Sequence, residues 1–378
     1  MNILNLYKPK EKDMTSPRSQ AQLSIFLASQ GLDRFSGNYQ QALLFKLPGH
    51  IELEKLKGAL ESLVSTHPYI LSRIRTENGA PAMVESGEQW TAEIKEVGSI
   101  EEARKGFAMP MNLLQDRLFR LEIYKTPTDA YLYVDFHHII ADGACIPIIL
   151  NHLSAAYDGR EVPAEKISGA QLALEEQKLR ESEAFEEAKT WFAAEFGAAA
   201  DTESRIIPDV YDAPKQAYKE LTVDLPLSAA AMREVLERYR YADSVLFTAL
   251  FGLTLAAWNA DTAASFSTIW NGRKGADSRT AFTMCVHTLP AYVNAGPETP
   301  LKDVLEQMKA QAVGLRARPF FSIADCSTYL GLTPGINFGF QEGRGRANFS
   351  SFLGYGRDDK PGTFSGAISG YRTTKAAK

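Results

Sequence analysis

The residues best suited to acid–base chemistry lie together in the segment 137–143, which reads HHIIADG. The preceding residues, 131–136, read YLYVDF, a run of aromatic and β-branched types typical of a β-strand. Because successive side chains of a strand face opposite sides, His137 and His138 cannot do the same work. An imidazole has an unperturbed pKa near ~6.5 and can accept a proton near neutrality. We therefore take His138 as the candidate catalytic base and expect a structural role for His137.

The Asp142-Gly143 pair predicts a turn, and the apolar spacing after it predicts a helix from Gly143 to about Tyr157. At the start of that helix the Asp142 carboxylate can accept free backbone N–H groups and so hold the loop after the strand. Gly143 has no side chain, so its backbone can approach a substrate or donate its N–H to a developing oxyanion. The alternative is that Gly143 only makes the turn.

Other chemistry has less support in the sequence. Two adjacent histidines at a strand end are, taken alone, more often packing or surface residues than catalytic ones. A metal site is not expected, because the other four histidines have no ligand spacing with this pair. No G-x-S-x-G motif or nucleophilic cysteine signature indicates a triad. Cys145, Cys285 and Cys326 lie far apart, which favours free thiols in a reducing cytosol.

Length and composition indicate a large globular protein. The chain has 378 residues, enough for two or three domains or for two similar lobes around one cleft. It is 45% hydrophobic and 23% charged, which is sufficient for a sizeable core. The formal net charge of −5 and the lack of a long basic run argue against nucleic acid as a partner. Residues 1–18 have no apolar run typical of a signal peptide or anchor, so we expect a soluble, cytoplasmic protein without membrane contact.

Apolar periodicity predicts both helices and strands in each half of the chain, which is a mixed α and β fold class. The strands nearest the histidines are 118–124 and 131–136, joined by a tight turn at 126–129. Helices are predicted at 19–30, 53–67, 143–157, 175–196, 228–239, 244–258 and 301–315. Further strands are predicted at 41–47, 264–269, 285–293 and 335–340.

The domain organisation follows from one stretch, 197–214, whose Ala, Asp, Ser and Pro content indicates a linker. The predicted order is an N-terminal extension at 1–18, an N-terminal lobe with the two histidines at 19–197, a linker at 198–214, a C-terminal lobe at 215–341, and a loop-rich or disordered tail at 342–378.

Several motifs together resemble a known family. HHIIADG is similar to the HHxxxDG signature of the chloramphenicol acetyltransferase-like superfamily, and specifically of the condensation domains of nonribosomal peptide synthetases. Residues 19–22 resemble the early S-x-A-Q segment of that family, and residues 66–74 resemble its second motif. Residues 271–273 (NGR) and 284–290 (MCVHTLP) resemble two segments of its second lobe. The resemblance covers roughly residues 19–341.

The resemblance implies two chloramphenicol acetyltransferase-like lobes arranged in a V, with a tunnel between them. It implies acyl or peptidyl transfer between substrates carried on 4'-phosphopantetheine, either of a carrier protein or of coenzyme A, with no cofactor bound by the chain itself. It places His138 in catalysis, and it implies an ion pair between Asp142 and an arginine of the other lobe, for which Arg273 is our choice. Trp270, Met284 and His287 are candidates for lining the substrate cleft, although Trp270 and Met284 can equally be core residues.

The sequence also departs from the family pattern. His287 stands where the family usually has Asn, Leu71 where an Arg is common, and residues 318–321 where an H-x-D-x-P-F segment is expected. The chain ends earlier than condensation domains usually do. Three functions therefore remain open: a condensation-type enzyme that joins a carrier-bound thioester to an amine, a free-standing acyltransferase acting on an alcohol or amine, and a noncatalytic docking module.

Overall fold

The computed structural model describes residues 18–29, 39–77, 80–84, 86–202, 204 and 228–340. Both halves of the described chain contain helices and strands, which confirms the mixed α and β class. These residues form two compact units. The first unit contains the described residues up to Phe185 together with Asn271–Val286, and the second contains Glu186–Trp270 and the residues from His287 onward.

The first unit is built on a four-stranded sheet with the order β1-β6-β5-β4. Its strands are β1 (Gln40–Leu47), β4 (Ile94–Glu96), β5 (Phe119–Lys125) and β6 (Ala130–His137), and a separate hairpin is formed by β2 (Arg73–Glu77) and β3 (Ala80–Val84). Its helices are α1 (Gln20–Ser29), α2 (Leu53–Thr66), α3 (Ile100–Arg104), α4 (Cys145–Tyr157) and α5 (Gly169–Arg180). The pairing of β5 with β6 through a turn closed by the Thr126 N–H and the Asp129 carbonyl confirms the predicted strand pair.

β6 is buried on both faces. Leu132, Val134 and Phe136 are at most 1% exposed and belong to the main apolar core, which α2 and α4 also contact. On the opposite face Tyr133 belongs to a second cluster with residues of α3 and the loop after it. A strand fixed by two neighbours and by packing on both faces gives the residues at its end little freedom.

The second unit contains a three-stranded sheet with the order β8-β7-β9. The strands are β7 (Ala263–Asn271), β8 (Val286–Asn294) and β9 (Asn337–Phe338), and the helices are α7 (Ala229–Tyr239), α8 (Asp243–Trp258), α9 (Leu301–Ala317) and α10 (Ile323–Leu330). Single residues of β7 and β8 lie at the division between the units. The predicted helices and strands of this half correspond to these elements to within two residues, except for the last strand, which is shorter than predicted. The sequence analysis did not anticipate α10.

One predicted helix is wrong in its extent. The single helix expected at 175–196 is two helices, α5 and α6 (Glu183–Ala200), with a break at residues 181–182. Ser182 explains the break, because its hydroxyl donates to the Leu179 carbonyl and accepts from the Ala184 N–H. A serine side chain that bonds the nearby backbone competes with the helical hydrogen bonds.

The sequence analysis divided the chain into consecutive lobes and did not predict that residues 271–286 would pack with the first unit. This stretch follows the second-unit strand β7 in sequence, yet it packs with the first unit. The reason is Phe282, which is fully buried in the core of the first unit against Phe136. The predicted linker at 198–214 stays a prediction, because most of it, like the predicted extension and tail, falls outside the described residues. Among the helices of the described ranges, none has the length and apolar character needed to cross a membrane.

Candidate active site

The two histidines lie where β6 ends. The backbone N–H of His137 donates to the Leu118 carbonyl at 2.8 Å, and that of His138 donates to the Tyr39 carbonyl at 2.6 Å. His137 is 5% exposed, and its Nδ1 accepts the Ile139 N–H at 3.2 Å. Burial, assisted by the neighbouring His138, lowers the pKa of His137 to about 3. A neutral imidazole that accepts a bond from the local backbone suits the structural role expected for His137.

His138 is the first residue beyond β6, and its ring lies against Met284. Nδ1 is 3.2 Å from the Met284 sulfur. A thioether only accepts hydrogen bonds, so this contact is favourable when Nδ1 carries the proton and Nε2 keeps its lone pair. Burial lowers the pKa of His138, although the Asp142 charge and nearby carbonyl groups oppose that effect. At neutral pH the imidazole is therefore uncharged and able to accept a proton.

Asp142 is fully buried, and its side chain is saturated with donors. Oδ2 is 2.5 Å from Nη1 of Arg273 and accepts the Cys285 N–H at 2.9 Å. Oδ1 accepts the Ala144 N–H at 3.0 Å. A buried carboxylate with an ion-pair partner and two backbone donors is an architectural group, because removing one partner would leave the other charge unpaired.

Two expectations about Asp142 need correction. The helix after it begins at Cys145, with Ala144 as the cap residue, so Asp142 lies three residues before the helix and not at its first turn. The Asp142 side chain accepts the Ala144 N–H, and the Asp142 carbonyl accepts the Cys145 N–H. These two hydrogen bonds form a turn immediately before the helix. The resemblance implied an arginine from the other lobe, whereas Arg273 belongs to the same compact unit as Asp142, since residues 271–286 pack there.

Arg273 also fixes the chain around it. Nη2 donates to the Thr283 carbonyl at 2.9 Å and to the Ala281 carbonyl at 3.3 Å. The turn that presents Arg273 is local in origin, because the Asn271 side chain accepts the Arg273 N–H at 3.1 Å. The guanidinium therefore joins Asp142 to the stretch that carries Met284.

Gly143 is exposed, and no heavy atom lies within 4 Å of the position a Cβ would take. Its φ is not among the positive values that favour glycine. Neither backbone strain nor packing within the first unit therefore requires glycine at this position. The open space beside Gly143 is compatible with a group approaching its backbone.

The remaining cleft candidates lie in different places. Met284 is in the first unit beside His138, whereas Trp270 and His287 belong to the second unit. There the Arg316 guanidinium lies 5.6 Å from the Trp270 ring, and His287 is 7% exposed. The structure thus brings His138, Asp142, Arg273 and Met284 together, while a substrate-lining role for Trp270 and His287 stays a prediction.

Sequence reasoning missed two supports, one of the His138 loop and one of β6 itself. Gln22, in the S-x-A-Q segment, donates through Nε2 to the Ile139 carbonyl at 3.1 Å and to the Tyr69 hydroxyl at 3.0 Å. The other support is Asp135 in β6, which is fully buried and 2.7 Å from Nη1 of Arg120. The signal for Asp135 was available, because an acidic residue within a buried strand requires a partner.

The structure also shows the environment of the cysteines and whether acidic, histidine and cysteine side chains come together as metal ligands. All three cysteines are free, and burial raises the pKa of Cys285, which is next to Met284, to about 12. A thiol with so high a pKa is a poor nucleophile at neutral pH. Among the residues the structure describes, no group of three His, Cys, Asp or Glu side chains has an arrangement that could hold a metal ion.

Comparison with known proteins gives one consistent family. The chain is 26% identical over 321 residues to tyrocidine synthase 2 of Brevibacillus parabrevis, an alignment that covers 81% of this chain and 9% of the synthase. The chain thus spans about a tenth of the length of this relative.

Solved structures share the fold. The first condensation domain of the calcium-dependent antibiotic synthetase, in complex with a substrate analogue, has a TM-score of 0.64 and 20% identity, covering 86% of this chain and 80% of that one. The X-domain in its complex with OxyB from teicoplanin biosynthesis has a TM-score of 0.70 and 17% identity, covering 86% and 75%. A sequence model of the family described as Condensation domain matches residues 12–324, which is most of the chain. The chain belongs to the condensation domain family.

Proposed function

We propose that this chain is an acyltransferase that forms an amide bond between a carrier-bound acyl or peptidyl thioester and an amine acceptor. The observation that carries the proposal is the placement of His138, whose ring lies just beyond the end of β6 with Nδ1 3.2 Å from the Met284 sulfur. Membership of the condensation domain family supports amide formation as the reaction that His138 serves.

The chemistry of amide formation fits the groups at this site. When an amine attacks a thioester, a bond forms between nitrogen and the carbonyl carbon, the thiolate leaves, and the nitrogen must lose a proton. His138 would take or orient that proton, which typically contributes about 10² to 10⁴-fold in rate. Holding two tethered reactants at attack distance can contribute more, about 7 to 11 kcal/mol in favourable cases. We therefore assign His138 to orientation and proton acceptance beside a larger positioning effect.

The partners in this proposal are acyl or peptidyl carrier proteins, with substrates carried on their 4'-phosphopantetheine arms. The support is the likeness to tyrocidine synthase 2. The V-shaped pair of lobes with a tunnel, which would admit one arm from each end, stays a prediction from the family resemblance.

Two other functions use the same residues. A free-standing acyltransferase would employ His138 in the same way but would accept a coenzyme A thioester as donor. A docking module would use the fold without turnover. The X-domain solved with OxyB has this fold, so the fold by itself does not distinguish catalysis from docking. The presence of His138 in the HHxxxDG segment favours catalysis, because docking does not need a base at this position.

The deciding experiment compares donors. Intact-protein mass spectrometry would follow a panel of acyl-loaded carriers and amines, with the matching coenzyme A thioesters at equal concentration and carrier binding measured separately by titration. We expect product from carrier-bound donors and a lower kcat/KM from coenzyme A donors, because a bound carrier adds positioning energy remote from the reacting atoms.

Each alternative has its own result in that experiment. Equal or faster turnover with coenzyme A donors would contradict the carrier-dependent function and indicate the free-standing acyltransferase. Carrier binding without product from either donor would indicate the docking module.

A further inference from the structure

The backbone of residues 282–285, here called the 282–285 segment, is held at both ends by buried carboxylates. At one end the Cys285 N–H donates to Oδ2 of Asp142 at 2.9 Å. At the other end the Phe282 N–H donates to Oε1 of Glu165 at 2.7 Å. The two carboxylates come from opposite sides of α4, one before the helix and one in the loop after it.

Glu165 resembles Asp142 in its surroundings. Its side chain is 6% exposed, and Oε1 lies 3.2 Å from Nδ1 of His67, whose side chain is 3% exposed. Each carboxylate thus accepts one backbone N–H of the segment and lies beside the nitrogen of another buried side chain. A buried N–H left without its acceptor costs free energy, so both hydrogen bonds hold the ends of the segment in place.

The loop that carries Glu165 has a second contact with the same stretch of chain. The N–H of the next residue, Lys166, donates to the Thr280 hydroxyl at 3.1 Å. Phe282 itself is fully buried, with its ring 5.8 Å from that of His67. Glu165 therefore belongs to a local arrangement that fixes where the segment begins.

Between the two anchored ends lies Met284, the residue whose sulfur contacts Nδ1 of His138. A four-residue segment held at each end leaves its two inner residues, Thr283 and Met284, little freedom to move. The contact with His138 is favourable only while Met284 stays in place, and that contact favours the tautomer with Nε2 as acceptor. The position of Met284, and with it the orientation of His138, depends on both carboxylates.

We infer that Glu165 is a positioning residue for the His138-dependent transfer, acting through Phe282 and Met284 from the side opposite Asp142. The inference rests on the proposed function for its effect on turnover. The structural part of the inference, that Glu165 sets the position of Met284 beside His138, is independent of the proposed function.

The test uses the full chain labelled with [methyl-¹³C]methionine, in which the Met284 signal is assigned by its loss in Met284→Leu. Glu165→Ala is expected to move the Met284 resonance, because the methyl group shifts relative to the His138 ring. It is also expected to lower kcat by about 10-fold or more, with a smaller change in KM, since small displacements from remote changes impair positioning. Glu165→Gln keeps an oxygen acceptor for the Phe282 N–H, so its Met284 resonance and its kcat should stay close to those of the wild type.

Glu161→Gln is the matched control, because Glu161 is exposed in the same loop. It should leave the Met284 resonance and kcat unchanged. If Glu165→Ala does not fold, Glu165→Asp replaces it, since it keeps the charge but shortens the reach by one methylene group. An unchanged Met284 resonance in whichever of these variants folds would overturn the inference. Failure of the wild type to form product would instead contradict the proposed function, and the resonance would still decide the positioning role.

Discussion

Nδ1 of His138 lies 3.2 Å from the sulfur of Met284, a residue 146 positions later in the chain. Because the sulfur can only accept, the contact leaves Nε2 as the basic nitrogen of the uncharged ring. Burial keeps the ring uncharged at neutral pH by lowering its pKa. The orientation and the protonation state of the candidate base thus have separate physical causes.

Removal of the candidate base should abolish most turnover without unfolding the protein. His138→Ala is expected to lose at least about 10² in kcat, which is within the usual contribution of a general base. The ring is only partly buried, so the melting temperature should change little. Product formation by mass spectrometry and thermal melting would test this. A purified His138→Ala protein that turns over like the wild type would show that the assignment is wrong.

The pH dependence of kcat/KM should reflect the lowered pKa of His138. A base works only when unprotonated, so activity should be constant from pH 8 downward and fall only as the pH passes below the ordinary histidine value of about 6.5. The measurement is a pH profile of kcat/KM in the free enzyme with an acceptor whose own ionisation is known. An acidic limb centred above pH 7 would contradict the lowered pKa.

The Asp142–Arg273 pair should contribute to stability as a unit. Asp142→Asn and Arg273→Ala should each lower the melting temperature, because each leaves a buried polar group without its partner. The free energies of unfolding of the two single variants and the double variant form a cycle. We expect non-additivity of more than about 0.5 kcal/mol. Fully additive losses would mean that the two side chains do not interact directly.

Gly143→Ala separates the two alternatives for this glycine. The added methyl group meets no neighbour within 4 Å and the backbone is not left-handed, so stability should be unchanged within about 0.5 kcal/mol. If a substrate approaches the Gly143 backbone, the same variant should lose activity, visible as a lower kcat/KM. Wild-type activity together with wild-type stability would leave Gly143 as a turn residue only.

Ala260→Gly should stabilise the second unit. Ala260 follows α8 with a φ of 52°, and the Asp261 N–H closes the end of the helix on the Ala256 carbonyl at 3.0 Å. A left-handed residue at this position costs less for glycine, so we expect a gain of about 1 kcal/mol in the free energy of unfolding. Ala257→Gly, at an exposed position within the helix, is the matched control and should be destabilising. Denaturant unfolding of both variants measures the difference, and a loss of stability in Ala260→Gly would contradict the argument.

Local patterns explain which parts of the fold were predictable. The run of strand-forming residues before His137 and the turn residues at 126–129 specify the β5–β6 pair from neighbours in sequence. The apolar stripe at helical spacing likewise predicted α9 from neighbours in sequence. The break between α5 and α6 was missed because one serine hydroxyl decides it, and a charged amphipathic pattern continues across the break.

The sequence by itself determined the family and the histidine pair at a strand end, because these depend on residue types and on a local strand pattern. Only the tertiary structure decided that residues 271–286 return to the first unit, where Arg273 meets Asp142 and Met284 meets His138. It alone revealed Glu165 as the second carboxylate holding that stretch. Such contacts join residues more than a hundred positions apart, and they depend on burial of Phe282, which no local pattern encodes.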